Sequence, residues 1–110
     1  MDCIFCKIAK GELTSTKVFE DDNLVAFNDI HPKAKVHILI VPKKHIESIK
    51  HIDSTHKDLL GQMFLTAQKI AKDKNLEGYK LVFNVGREGG QMVDHLHLHL
   101  LSPNVSNLPV

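Results

Sequence analysis

No charge of either sign dominates this chain of 110 residues: 14 Lys and Arg stand against 13 Asp and Glu, a formal net charge of +1. No basic run exceeds Lys43-Lys44, so the broad positive field that holds a nucleic acid is missing. No apolar run approaches the roughly 20 residues that a membrane-spanning helix needs, so no membrane partner is expected. Met1-Asp2-Cys3 is not followed by a basic region and a long apolar segment. A secretory signal is therefore not expected, and a cytoplasmic, reducing setting is. Cysteine is scarce, with Cys3 and Cys6 alone. Internal repeats and low-complexity segments are also lacking. The tail, residues 102–110, carries two prolines and no period, and no structure is assigned to it. The rest is ordinary: 43% hydrophobic and 25% charged residues predict one globular domain over residues 1–110. A domain of this size leaves much of its surface in water, so a dimer interface would add to its stability.

Against these absences, one stretch is rich. In residues 95–101, His95, His97 and His99 alternate with Leu96, Leu98 and Leu100. Successive side chains of a β-strand point to opposite faces. A strand over 95–101 would turn the leucines to a core and the three imidazoles to one site. Neutral imidazole can ligate a metal, move protons near pH 7, or attack phosphorus as a nucleophile. Upstream, Gly86-Arg87-Glu88-Gly89-Gly90 is a tight loop whose glycines can bring backbone N–H groups close to an anion. Asn84 precedes it and could donate to a phosphate oxygen. A central imidazole flanked by two others beside such a loop favours phosphoryl or nucleotidyl transfer through a phosphohistidine. Metal ligation by same-face histidines is the rival reading.

Elsewhere the pattern is that of an α+β antiparallel sheet. Strands are expected at 17–20, 24–28, 36–41, 80–85 and 95–101, with Asp21-Asp22-Asn23 as a hairpin turn. Ile4, Phe5 and Ile8 fit a short N-terminal helical turn closed by Gly11. A long helix over roughly 54–74 is predicted, opening at Asp53-Ser54-Thr55 with Thr55 and Asp58 as a capping box. Leu59, Leu60, Met63, Phe64, Ala67, Ile70 and Ala71 form its buried stripe, with Met63 and Phe64 in the core. Cys3 and Cys6 are spaced C-x-x-C, which suits two buried hydrophobes, half of a zinc site, or a redox pair. Asp29 beside a proline turn could bond turn backbone or accept ribose hydroxyls. His37 reads as a core imidazole or one that orients another histidine. His45 reads as surface or ligand, and His31, His51 and His56 as surface.

Taken together, these segments resemble the histidine triad family, in its short nucleotide-binding hydrolase branch. The likeness covers residues 3–101. It rests on Cys-Ile-Phe-Cys-Lys-Ile at 3–8, Phe-Glu-Asp-Asp at 19–22 and Ala-Phe-Asn-Asp-Ile at 26–30. It continues in Val-His-Ile-Leu-Ile-Val-Pro-Lys-Lys-His at 36–45, Gly-Gly-Gln at 89–91, and His-Leu-His-Leu-His-Leu-Leu at 95–101. The resemblance implies a five-stranded antiparallel sheet with one long and one short helix, extended across a homodimer. It implies hydrolysis of nucleoside 5′-phosphoramidates or related nucleotidyl compounds, purines preferred, with no cofactor required for catalysis.

In that scheme His97 attacks the α-phosphorus and His99 binds a phosphate oxygen. His37 hydrogen-bonds the other nitrogen of the nucleophile, and His95 supports the site from its flank. Asn84, Gly90, Gln91 and Met92 lie on the phosphate side, and Asp29 holds the ribose. Ile4, Phe5, Ile8, Phe27, Asn28 and Ile30 line the base pocket. Cys3, Cys6, His45 and His95 match a structural zinc site. Met92 stands where many members have Ser or Thr, so a hydroxyl contact is missing. A nucleotide-binding or partner-binding module with little turnover is the alternative.

Overall fold

The computed structural model describes residues 3–108; residues 1–2 and 109–110, the ends of the expected domain and tail, lie outside the described residues. Five strands, β1 (Lys17–Glu20), β2 (Leu24–Asn28), β3 (Val36–Pro42), β4 (Lys80–Val82) and β5 (Leu98–Ser102), form one antiparallel sheet in the order β1-β2-β3-β5-β4. Two helices, α1 (Ile4–Ala9) and α2 (Lys57–Asp73), complete the fold. The β1–β2 hairpin turns where expected. Asp21 Oδ1 accepts from the backbone N–H of Asn23 (2.8 Å) and Leu24 (2.7 Å), an Asx turn that holds the chain reversal.

The central strands β2, β3 and β5 are buried on both sides, and their alternation sorts side chains between two layers. Leu24, Ala26, Ile38, Ile40, Leu98 and Leu100 face α2, where Met63, Ala67 and Ile70 meet them. Val25, Phe27, Leu39 and Val41 face the opposite way and pack with Cys3, Phe5 and Ile8 of the α1 segment. α2 thus closes a largely apolar layer, whereas the α1 layer shares its face of the sheet with His37 and His99. His37 pairs with Leu101 and His99 with Leu39 across β3 and β5.

Several boundaries differ from the pattern-based reading, each for a tertiary reason. β5 begins at Leu98, not at residue 95, and β4 stops at Val82, not at 85. The backbone N–H of Leu96 donates to Ile46 O (2.6 Å), which draws residues 95–97 toward the segment after β3 and away from β4. Leu96, Leu98 and Leu100 nevertheless all reach the α2 core. A 3-10 turn at Ser54–His56 precedes α2, and its cap is Asp53. Asp53 Oδ1 accepts from Thr55 N (2.9 Å), while Asp53 N donates to His56 Nδ1 (3.1 Å). The capping box is therefore Asp53 with His56, in place of Thr55 with Asp58, and His56 is a cap and not only a surface residue. Phe64 is 44% exposed, outside the core, and packs edge-on against Phe83. The buried stripe takes Thr66 in its place.

After β5 the chain forms no further strand or helix through residue 108, yet it is tied down. Val105 is buried, and Lys80 Nζ donates to Val105 O (3.3 Å) and Leu108 O (2.7 Å). Among the described residues no helix is long and apolar enough to cross a membrane.

Candidate active site

On the α1 side of the sheet lies a cavity of about 590 Å³. Its floor is apolar, from Phe5, Ile8, Phe27 and Leu39. α1 delivers the first two because its N-terminus is anchored: Cys3 Sγ caps it, accepting from Cys6 N at 3.4 Å. Ile4, Leu13, Ile30 and Met92, all partly or largely exposed, stand around the same cavity. The polar wall holds Asn28, Asp29, Lys33, His37, Asn84, Gly90, His97 and His99.

The imidazoles are held by a defined hydrogen-bond chain. A carbonyl only accepts, so His97 Nδ1, 2.7 Å from His95 O, carries the ring proton and leaves Nε2 with its lone pair. The amide of Lys33 donates to His37 Nδ1 (3.0 Å). His37 Nε2–H therefore faces His99 Nδ1, at 2.9 Å, and the ring proton of His99 falls on Nε2. The rings of His97 and His99 meet edge-on with centroids 4.9 Å apart, and Phe5 abuts His97 at 5.1 Å. The cavity thus contains one imidazole with a free basic nitrogen beside one with a free N–H donor.

Burial keeps these rings neutral. It pushes His99 down to about 4, with His97 and His37 adding repulsion. His97 is lowered chiefly by burial, against the opposing pull of its bond to His95 O and of Asp29. His37 is also lowered by burial, and the Asp29 carboxylate opposes this from 3.5 Å. Asp29 Oδ1 accepts from His31 N (2.9 Å), closing the turn, and the residue lines the cavity. Asp29, His37 and His99 are close enough to surround a cation, but the two imidazoles spend the relevant nitrogens on each other.

The glycine loop closes the far side. Gly86 and Gly90 have φ of 69° and 88°, a backbone that favours glycine. Asn84 Nδ2 donates to Gly89 O (2.9 Å) across it. Arg87 braces the loop, with Nη1 donating to Gln91 O (2.6 Å) and pairing with Asp94 Oδ1 (2.9 Å).

Three expectations need correction. Gln91 does not line the cavity: its amide is consumed by backbone, accepting from Gly86 N (2.9 Å) and donating to Glu47 O (2.7 Å) and Val93 O (2.9 Å). It shapes the loop from behind. His37 does not bond the remaining nitrogen of His97; that nitrogen belongs to His95 O, and His37 holds His99. His95 does not share the imidazole face, because residues 95–97 leave the strand. Its ring is fully buried, and Nε2 donates to Pro42 O (2.7 Å).

That bond leaves His95 Nδ1 free, 3.2 Å from Cys3 Sγ and 3.5 Å from Cys6 Sγ. His45 Nδ1 lies 3.3 Å from Cys6 Sγ. The ligand atoms of Cys3, Cys6, His45 and His95 are all within 4.8 Å of one another. Two thiols and two imidazole nitrogens so arranged suit a tetrahedral zinc ion, and a backbone carbonyl orienting a histidine ligand is the usual second shell. Burial and the neighbouring Cys3 push the Cys6 thiol up.

Leu13, Thr14, Ser15, His31, Lys33, Leu39 and Val93 also line the cavity and are not among the site residues expected from the sequence. His31 is expected there only as a surface residue. His31 and Lys33 could have been found as neighbours of Asp29 in one turn, and Val93 beside Met92; Thr14 and Ser15 carry no local signal.

Known proteins resemble this chain in sequence and fold. A family profile described as scavenger mRNA decapping enzyme C-term binding matches residues 2–108. The chain is 45% identical over 105 residues to Protein HitA of Neisseria gonorrhoeae, covering 94% of this chain and 98% of that one. It is 42% identical over 102 residues to the purine nucleoside phosphoramidase of Escherichia coli K12, covering 91% and 86%. The crystal structure of a HIT family hydrolase from Legionella pneumophila Philadelphia 1 superposes with a TM-score of 0.95 at 47% identity, over 99% of this chain and 100% of that one.

Proposed function

The chain belongs to the histidine triad family of hydrolases, and from that premise we propose that it hydrolyses purine nucleoside 5′-phosphoramidates, or related nucleotidyl compounds, to the nucleoside monophosphate. The observation that carries this reading is the tautomer of His97. With Nδ1–H committed to His95 O, Nε2 is a neutral nucleophile at neutral pH. It forms a bond to the α-phosphorus, and the P–N bond breaks with its electron pair going to the departing amine, which takes a proton from solvent in the open cavity. Water then attacks the phosphorus, releasing the monophosphate and restoring the imidazole. His99 Nε2–H, Asn84 and the Gly89-Gly90 loop supply donors where charge develops on the phosphoryl oxygens. His37 positions His99. Asp29 accepts ribose hydroxyls, and Ile4, Phe5, Ile8, Phe27, Asn28 and Ile30 enclose the base. A relative that is a purine nucleoside phosphoramidase supports the substrate class.

Zinc at Cys3, Cys6, His45 and His95 would pin α1 and the start of the histidine segment together; its chemistry is structural. The unpaired edge of β4, with exposed Tyr79 just before it and exposed Phe64 against Phe83 just after it, supports a homodimer joined through that side. A binding module with little turnover is the second reading, favoured by Met92, which is 80% exposed and offers no hydroxyl to the phosphate.

Incubation with adenosine 5′-phosphoramidate tests the proposal. AMP release by wild type, with none from His97→Ala, is the expected result. Equal release by both removes His97 as nucleophile. Tight AMP binding without turnover or a trapped nucleotidyl-histidine favours the module.

A further inference from the structure

Among the described residues Lys33 is the one lysine or arginine that lines the cavity. Its ammonium makes no ion pair or hydrogen bond among the described residues, in contrast to Lys17 and Lys43, which pair with Glu20, and Lys69, which pairs with Asp73. Its backbone is not free: the amide N–H donates to His37 Nδ1 at 3.0 Å. The side chain therefore leaves from a point fixed to the imidazole that holds His99. The bond from its amide to His37 puts Lys33 on the His37–His99 side of the cavity, and its positive charge is felt at both of those rings.

The α-phosphoryl group already has donors there: His99 Nε2–H, Asn84 and the glycine loop. The other full charge in the wall, Asp29, is committed to the His31 amide and faces His37. With the imidazoles neutral, Lys33 is a cation without a counterpart among the described residues of the wall.

We propose that the Lys33 ammonium receives an oxyanion carried by the leaving group, so that the preferred substrates bear a carboxylate or a further phosphate on the group attached to the α-phosphorus. The proposal rests on the hydrolase reading and deepens it by naming the leaving-group class. A lysine is suited to this as a mobile point charge with three donors, reaching anions of more than one geometry.

The test compares matched adenosine 5′-phosphoramidates whose amine is glycine, glycine methyl ester or phosphoethanolamine, on wild type, Lys33→Met and Lys33→Glu. Both substitutions preserve the backbone N–H bond to His37. For an exposed ion pair the expected loss is modest: Lys33→Met lowers kcat/KM for the anionic substrates about five-fold and leaves the ester unchanged, and Lys33→Glu lowers it further. The contrast shrinks as salt is raised. The glycine and phosphoethanolamine arms separate a carboxylate from a phosphate as the anion received. An equal loss on all three substrates places Lys33 on the α-phosphate and overturns the proposal, as does no change on any. If wild type turns over none of them, the hydrolase reading fails. The charge preference is then decided by the affinities of the same three compounds for wild type and Lys33→Met, where equal ratios overturn it.

Discussion

Two histidines two residues apart do opposite things with their nitrogens. His95 gives its Nε2–H to Pro42 O and turns a bare Nδ1 toward two sulfurs. His97 gives its Nδ1–H to His95 O and keeps a bare Nε2 for the cavity. Both rings are buried and neutral, and both lie within one motif. In the proposed roles, what distinguishes a ligand from a nucleophile is which nitrogen a backbone carbonyl has claimed. The two regions are also joined: His95, whose ring faces the cysteine cluster, supplies the carbonyl that sets the tautomer of His97. Phe5, between the two cysteines, touches the rings of both His95 (6.0 Å) and His97 (5.1 Å).

The most severe way to break the comparison is His97→Ala. Turnover should fall by about 10³-fold or more, while AMP affinity, measured by calorimetry, stays within a few-fold because the proposed base and ribose contacts lie elsewhere. Next is His37→Ala, which frees His99 Nδ1 and lets the ring reorient. Loss of such an outer partner typically lowers activity about 10- to 100-fold; the expected signature is a fall in kcat with little change in KM. On the cysteine side, Cys3→Ser with Cys6→Ser should lower Tm by about 5 °C or more, since ligand binding and folding are coupled. A chelator should do the same to wild type and nothing to the double variant; coincident melting curves for all three would mean that the cluster holds no metal.

Acidity sharpens the comparison further. His97 and His99 are held below the ordinary histidine range, His99 at about 4. kcat/KM should be level around neutrality and fall only as pH drops below about 6.5 toward 4. Stability should fall over the same window, because the unfolded chain takes up protons that the folded rings refuse, and it stops falling below the folded values. The smallest effect is expected at Asp94→Asn. It weakens an exposed pair with Arg87, costs under about 1 kcal/mol, and should show as a slight rise in KM.

The residues differ in how legibly they announced these roles. Leu96, Leu98 and Leu100 advertise a buried face by period alone, and the core receives all of them. The Asp21 turn and the two-sided burial of β2 and β3 follow equally from local pattern. His95 could not be separated from His97 in that way, because the cause is a bond from Leu96 N to Ile46 O, between segments remote in sequence. Gln91 misleads for a similar reason: an amide beside a glycine loop looks available, and only the folded loop brings Gly86, Glu47 and Val93 to use it up. Phe64 fits the apolar stripe of α2 by spacing but falls at its margin, where Phe83 covers one side of it.

Lys80 gives the sheet edge a further property. One ammonium on β4 grips two carbonyls of the C-terminal segment, so the outermost strand and the tail share a fate. Whatever peels β4 from β5 also unties residues 105–108 and presents them to a protease. Clipping of the tail would then serve as a gauge of how often the edge of the sheet opens.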